Sequence, residues 1–129
     1  GGPRDSVGAW YMPQLQLEML CAGETCRSAI FGSCSASRGM NLFRVERDDE
    51  YIRDMLSLLR AFYERHLVTD RDPEPDFFFK EPPVECGVDY PAFLNRTAEL
   101  ARNATKWIHV THRQVQRRGA ESAFLDAAS

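Results

Sequence analysis

The stretch WYMPQLQLEML, residues 10–20, contains two glutamines, Gln14 and Gln16, among residues that are typical of the buried beginning of a helix. An amide without a hydrogen-bond partner in a protein interior costs about 1–3 kcal/mol. Each glutamine is therefore expected to contact a specific group. Both are candidate site residues, and the remainder of the chain indicates which chemistry they could serve.

A second candidate for chemistry is a row of basic side chains near the C-terminus, at helical spacings of three and four residues. On one face of a helix, such a row has the right form to follow a phosphate backbone. An ordinary solvated face is the alternative interpretation, because cations are favoured near a helix C-terminus by the helix dipole. The row consists of Arg102, Lys106, His109, Arg113 and Arg117.

No complete active site is recognisable in the sequence. The stretch EPDFFFKEP has a Pro-Asp pair before Lys80, as in metal-dependent nucleases, but Phe78 occupies the position where that chemistry needs a second carboxylate. The acidic triplet 48–50 is better explained as the capped beginning of a helix. Glycine-rich phosphate loops and nucleophile motifs are not found. We therefore expect no metal site in this chain alone.

Length and composition favour a single domain, or a large piece of one, because the 129 residues are 43% hydrophobic. Acidic residues dominate the range 44–88 and basic residues dominate 89–118, so only the latter could meet a phosphate backbone. Apolar runs are shorter than the roughly 18 residues of a membrane span, and no membrane partner is expected. The cysteines lack closely spaced pairs, which predicts free thiols and an intracellular location. They are Cys21, Cys26, Cys34 and Cys86.

The order of elements follows from periodicity and from helix and turn signals. Pro13 suits the first turn of a helix and Gly23 suits its end. The acidic residues 48–50 together suit the N-cap and first turn of a second helix, and Asp89 suits an N-cap. Apolar residues at spacings of three and four, from Ile52 to His66, predict a helix with one buried face. The predicted elements are a helix at 11–23, strands at 26–34 and 40–47, a helix at 47–67, a loop at 68–88 and a long helix from 89 toward 119.

Two segments, YMPQLQLEMLCAGETCRSAIF and FRVERDDEYIRDMLSLLRAFYE, resemble the C-terminal part of the phage lambda exonuclease and YqaJ-type viral recombinase nucleases. Those enzymes have a helix that opens with Tyr-x-x-Gln-x-Gln. A strand follows, and then a second strand that leads into an Arg-Asp-Glu-x-Tyr helix start. Order, lengths and residue types agree across residues 10–65, whereas residues 66–129 have no recognised counterpart.

The resemblance implies an α/β fold, namely the C-terminal part of a restriction-endonuclease-like PD-(D/E)XK fold. Its expected order is helix, β-hairpin, helix, long loop and long C-terminal helix. The corresponding divisions are 1–67 for the nuclease part, 68–88 for the Pro-rich loop and 89–129 for a helical extension.

The resemblance also implies a parent protein that is a Mg²⁺-dependent DNA exonuclease acting on duplex ends, with a homo-oligomer as a possible assembly. In that family a glutamine on this helix supports the active site and the nucleic-acid end. Here that residue would be Gln14, with Tyr11 one turn earlier on the same side. Gln16 would point elsewhere, toward DNA or solvent. An amide suits the role, since it can donate to a phosphate oxygen or orient water without adding charge.

One departure from the family limits what this chain is expected to do. The metal-binding Asp and Glu-x-Lys of the family precede this helix, and here only GGPRDSVGA precedes it. The chain is therefore expected to be a fragment that is inactive alone, with Mg²⁺ bound only in the full-length parent. The alternative is a catalytically dead nuclease-fold module that binds DNA or protein, with the basic row as its contact surface.

Overall fold

The computed structural model describes residues 1–76 and 86–114, and it shows an α/β arrangement with an antiparallel sheet. Within these residues the strands pair in the order β1-β2-β3. The helices of the described part are too short or too polar to cross a membrane. The elements are α1 (Met12–Ala22), β1 (Ser28–Ser35), β2 (Gly39–Glu46), α2 (Asp49–Phe62), α3 (Tyr90–Asn103) and β3 (Thr105–Val110).

Helix α1 begins and ends where the sequence predicts. A 3₁₀ turn, Ala9–Tyr11, leads directly into it, and Pro13 lies in its first turn, where a missing backbone N–H costs no helical hydrogen bond. Gly23 follows the last residue with φ of 108°, a conformation that other residues rarely adopt. The predicted helix 11–23 is confirmed to within a residue at either end.

The predicted hairpin is also confirmed. Strands β1 and β2 pair antiparallel from Ser28 opposite Glu46 to Ser35 opposite Gly39. Gly39 ends the turn with φ of 84°, and a Cβ there would collide with the backbone carbonyl of Val110 on the neighbouring strand. Glycine is thus needed both for the turn and for the close approach of β3.

Helix α2 is capped as expected, because the Asp48 carboxylate accepts a hydrogen bond from the backbone N–H of Tyr51. The helix continues as a π-helical turn, Tyr63–Leu67. Its predicted apolar stripe is only partly buried. Ile52 and Met55 lie in the interior, whereas the stripe residues toward the C-terminal end are exposed, namely Leu56, Leu59 and Tyr63.

The predicted long C-terminal helix from 89 to 119 is wrong. Asp89 caps α3 as expected, but α3 ends at Asn103, and Thr105–Val110 forms strand β3 along the free edge of β2. The segment TKWIHV is rich in β-branched and aromatic residues, which favour strands. Pairing with β2 also satisfies backbone groups that an open edge leaves unpaired. Residues 115–119 of the predicted helix lie outside the described residues.

The core forms where α1, α3 and the inner face of the sheet meet. Residues alternate along β2: Asn41, Phe43 and Val45 point inward and Arg44 and Glu46 point outward, as the alternation of residue types in the sequence 41–47 predicts. The predicted loop at 68–88 has no helix or strand over 68–76, and its residues 77–85 lie outside the described part. The main core residues are Val7, Met12, Leu15, Met19, Phe43, Val45 and Ala101.

Candidate functional site

The two glutamines of α1 have opposite environments. Gln16 is fully buried: its Nε2 donates to the carbonyl of Glu46 at 2.9 Å, and its Oε1 accepts from the backbone N–H of Asp48, also at 2.9 Å. Both polar atoms of the amide therefore bind the backbone between β2 and α2. The chain leaves the strand at this point, so the hydrogen bonds of the sheet and of the helix do not satisfy these two backbone groups. The prediction that Gln16 points toward DNA or solvent is wrong.

Arg47 joins the same region to the end of α1. Its side chain is only 6% exposed, and its guanidinium donates to the carbonyls of Met19, Gly23 and Cys26 at 3.1, 2.9 and 3.4 Å. It also contacts Asp49 at 2.7 Å. Terminal helix carbonyls lack intrahelical partners, so a buried cation is well placed there. The sequence signal for this residue was the alternation along residues 41–47, which predicts that position 47 points to the same side as the inward-facing residues of β2.

Gln14 remains exposed, and Tyr11 is half-buried on the same side of α1. The Gln14 amide donates to the Glu18 carboxylate at 2.8 Å, one turn along the helix. The Tyr11 ring packs on Phe31 of β1, with centroids 4.8 Å apart. The structure therefore places Tyr11 and Gln14 on one accessible surface, with Tyr11 held against the sheet.

An exposed arginine and an exposed tryptophan lie next to Tyr11. The guanidinium carbon of Arg4 is 5.3 Å from the Trp10 ring centroid and 6.0 Å from that of Tyr11, which are cation–π distances. The ring centroids of Trp10 and Tyr11 are in turn 5.5 Å apart. The sequence analysis missed both residues, because Arg4 reaches this surface only through tertiary contacts. The pair of aromatic residues before Pro13 was the available signal.

The predicted basic row is not one surface on one helix. Arg102 is on α3, and Lys106 and His109 are on β3. Arg113 lies in a short helical turn that follows β3. Lys106 is 3.6 Å from Asp5, an exposed pair that contributes little to stability. The remaining member of the row, Arg117, lies outside the described residues.

His109 has a structural contact instead. Its Nδ1 lies 2.6 Å from Oδ1 of buried Asn41, whose Nδ2 donates to the carbonyl of Arg4 at 2.8 Å. Because the Asn41 nitrogen is used toward Arg4, its oxygen faces His109, and the His109 Nδ1 is therefore the donor. This chain of contacts connects β3 to the N-terminal segment that carries Arg4.

The three carboxylates of the β2–α2 joint, Glu46, Asp48 and Asp49, are paired with arginines. They line a cleft of about 400 Å³ between the β2–α2 joint and α3. Hydrogen bonds from Arg27 and Arg47 hold the pKa of Asp49 below its ordinary value. Asp48 binds Arg96 at 2.6 Å, and Glu46 binds Arg44 at 2.8 Å. Each carboxylate that lines the cleft is thus engaged in an ion pair with an arginine.

These carboxylates do not fit a divalent cation, since a Mg²⁺ ion needs oxygen ligands that are free to converge on it. Over residues 1–76 and 86–114, no three His, Cys, Asp or Glu side chains are grouped closely enough to hold a metal. The described residues therefore supply no ligand set for a metal.

Comparison of the chain with protein-family models, with curated proteins and with solved structures gives no match in any of the three. The relationship to the lambda exonuclease and YqaJ-type nucleases stays a prediction carried by the residues of 10–65.

Proposed function

We propose that this chain is the C-terminal part of a Mg²⁺-dependent DNA exonuclease of the lambda exonuclease and YqaJ type, with a PD-(D/E)XK fold. One observation carries the proposal: the Tyr-x-x-Gln-x-Gln pattern divides into a buried structural amide, Gln16, and an exposed amide, Gln14, beside Tyr11. A pattern of this kind, with one amide left accessible on a fixed helix, supports a role for Gln14 at a site.

The contacts around α1 explain why Gln14 is well positioned for that role. Gln16 attaches the middle of α1 to the β2–α2 joint, and Arg47 attaches its end to the same joint. The first turn is held by the packing of Tyr11 on Phe31. The backbone at Gln14 is therefore fixed relative to the sheet. Among the described residues, its side chain is bound only by an exposed hydrogen bond to Glu18, which a ligand can replace at little cost.

In the proposed parent enzyme, Gln14 donates its amide N–H to a phosphate oxygen of the DNA end or to a water molecule near it. Tyr11 limits the space on one side of that amide. The Mg²⁺ ion of such enzymes orients and activates an attacking water. Its carboxylate ligands, in this proposal, belong to the Asp and Glu-x-Lys that precede the helix in the parent.

The test is hydrolysis of linear duplex DNA by the longest natural protein that contains these residues, with Mg²⁺ and with a chelator. Gln14→Ala is expected to lower the turnover by about 100-fold, the usual effect of removing one positioned donor. Glu18→Ala serves as the matched control, because it removes the present partner of Gln14 and leaves the amide. It is expected to retain turnover within about threefold.

A parent protein that shows no Mg²⁺-dependent hydrolysis of linear DNA overturns the proposal. Unchanged turnover in Gln14→Ala shows that the residue is only part of the surface. A sequence before Gly1 that lacks Asp followed by Glu-x-Lys also overturns it.

A second candidate function is a catalytically dead binding module. The exposed continuation of the α2 stripe favours it, because Leu59, Tyr63 and Leu67 form an apolar surface larger than scattered single residues. Under this proposal the parent binds a macromolecule and the Gln14→Ala variant has no turnover to lose. The hydrolysis assay with wild-type parent separates the two functions.

A further inference from the structure

Trp10 and Gln14 are both exposed and lie four residues apart in the sequence. The 3₁₀ turn Ala9–Tyr11 leads directly into α1, so that residues 10 and 14 are one helical turn apart. The Trp10 indole is 65% exposed, which is unusual for the largest apolar side chain. A solvated tryptophan next to a candidate phosphate contact needs a reason.

Arg4 is held beside this ring by its own backbone. Its N–H donates to Oγ of Ser33 at 3.0 Å, and its carbonyl accepts from Asn41 at 2.8 Å. The guanidinium lies over the Trp10 ring and carries no ion pair with any carboxylate in the described part of the chain. A fixed backbone with an uncompensated cation is a suitable arrangement for binding an anion.

Gly8 determines where the Trp10 ring lies. A Cβ at residue 8 would be 2.6 Å from Cζ2 of Trp10 and 2.7 Å from Cε2 and Cη2, so the ring occupies space that only glycine leaves free. The backbone of Gly8 has φ of −70° and ψ of 139°, which alanine adopts without strain. Glycine at position 8 therefore makes room for the ring, and its backbone conformation does not require glycine.

We propose that Trp10 and Arg4 bind the unpaired end of a nucleic acid next to Gln14, with Trp10 stacking on a base and Arg4 contacting the adjacent phosphate. The proposal rests on the proposed function and deepens it. Aromatic side chains stack on bases of any sequence, and an arginine over one face of the ring leaves the other face for a base and complements the charge of the backbone. Neither residue belongs to the Tyr-x-x-Gln-x-Gln pattern.

The chain offers a matched control, because it has one other tryptophan, Trp107, which is 66% exposed and lies on β3. Trp107→Phe leaves Trp10 as the sole indole, and Trp10→Phe leaves Trp107. Each variant of the 129-residue chain is titrated with single-stranded oligo-dT and with a blunt duplex. Stacking predicts quenching of the Trp10 signal by oligo-dT and weaker quenching by the blunt duplex, whose terminal bases are paired.

Affinities for labelled oligo-dT, measured by anisotropy, test the individual contacts. Trp10→Ala is expected to weaken binding by about 5- to 150-fold, the range for loss of one stacked base. Gly8→Ala retains the ring but displaces it, and it is expected to weaken binding in the same direction. Arg4→Met is expected to lower the salt slope by about 0.7, the value for one phosphate on a single strand. Arg53→Met, an exposed arginine on α2, is the control and is expected to leave the slope unchanged.

Four results would overturn the proposal. Binding without a change in Trp10 emission excludes stacking. Quenching of Trp107 emission, with Trp10 emission unchanged, would place the contact on β3. Unchanged affinity in Trp10→Ala assigns the exposed ring to another partner, such as a protein. A chain that does not bind oligo-dT at all also overturns the stacking contact, whereas the nuclease proposal is decided separately by hydrolysis in the parent protein.

Discussion

Replacing Gln16 with leucine is expected to destabilise the chain by about 2–4 kcal/mol. The side chains are similar in volume, so little cavity is created. The change leaves two backbone groups without partners, the carbonyl of Glu46 and the N–H of Asp48. Each unsatisfied buried group costs about 1–3 kcal/mol, and the lower half of that range applies because the joint lies near the surface.

The Gln16→Glu variant tests the two hydrogen bonds separately. The carboxylate still accepts from Asp48 but has no hydrogen to donate to the Glu46 carbonyl. Burial raises the pKa of such a carboxyl in the folded state above its unfolded value. The folded variant therefore binds more protons, and its stability relative to wild type rises as the pH falls through the folded pKa. At neutral pH the variant is expected to be at least as unstable as Gln16→Leu.

Urea denaturation at about pH 7 and about pH 5 measures both effects through the midpoint and slope. Gln14→Leu is the matched control, since it makes the same change at an exposed position of the same helix and is expected to stay within about 0.5 kcal/mol of wild type. A Gln16→Leu variant as stable as Gln14→Leu would refute the assignment of Gln16 to the joint. An unchanged gap between Gln16→Glu and wild type at the two pH values would refute the donor role of its amide.

Three further predictions concern Arg47, Tyr51 and the pair Lys106 and Arg113. Arg47→Met should cost about 2–4 kcal/mol in urea unfolding, because the Met19 and Cys26 carbonyls lose the guanidinium donor, whereas the Gly23 carbonyl keeps the Cys26 N–H. Arg27→Met, at an exposed position, should cost less than about 0.5 kcal/mol; equal losses would contradict this. Burial raises the pKa of the Tyr51 hydroxyl in the folded state. The stability that Tyr51 contributes is therefore fully present when the pH is below the ordinary pKa of tyrosine, and it is lost as the pH rises through the folded pKa. Tyr51→Phe should remove this loss of stability at alkaline pH, and an identical pH profile in the two proteins would contradict the reasoning. Replacing Lys106 and Arg113 together with Ala should weaken DNA binding and flatten its salt dependence by fluorescence anisotropy; an unaltered slope would show that these cations belong to an ordinary solvated surface.

Short-range signals allowed the first half of the fold to be predicted. Pro13 and Gly23 mark the ends of α1, and Asp48 caps α2, because each acts on backbone groups within a few residues of itself. The alternation along β2 likewise predicts its inner face. These features need no knowledge of distant parts of the chain. The exposed end of the α2 stripe shows the limit, since periodicity identifies an apolar face but does not say how much of it is covered.

The C-terminal region shows why other features could not be predicted. The basic residues from Arg102 to Arg113 have helical spacing, yet Thr105–Val110 is a strand, because the open edge of β2 offers hydrogen bonds that a solvated helix face does not. Only the folded chain brings that edge, which lies about sixty residues earlier, beside this segment.

The candidate site follows the same division. The sequence by itself determined that α1 carries two glutamines and an aromatic pair before Pro13. The tertiary structure alone decided that Gln16 is buried in the β2–α2 joint, that Gln14 stays exposed, and that Arg4 lies over Trp10. The physical reason is that each of these side chains takes its role from contacts with distant parts of the chain. The Gln16 amide binds backbone groups about thirty residues away. Arg4 lies over Trp10 because its backbone N–H and carbonyl bind the side chains of Ser33 and Asn41 on two different strands.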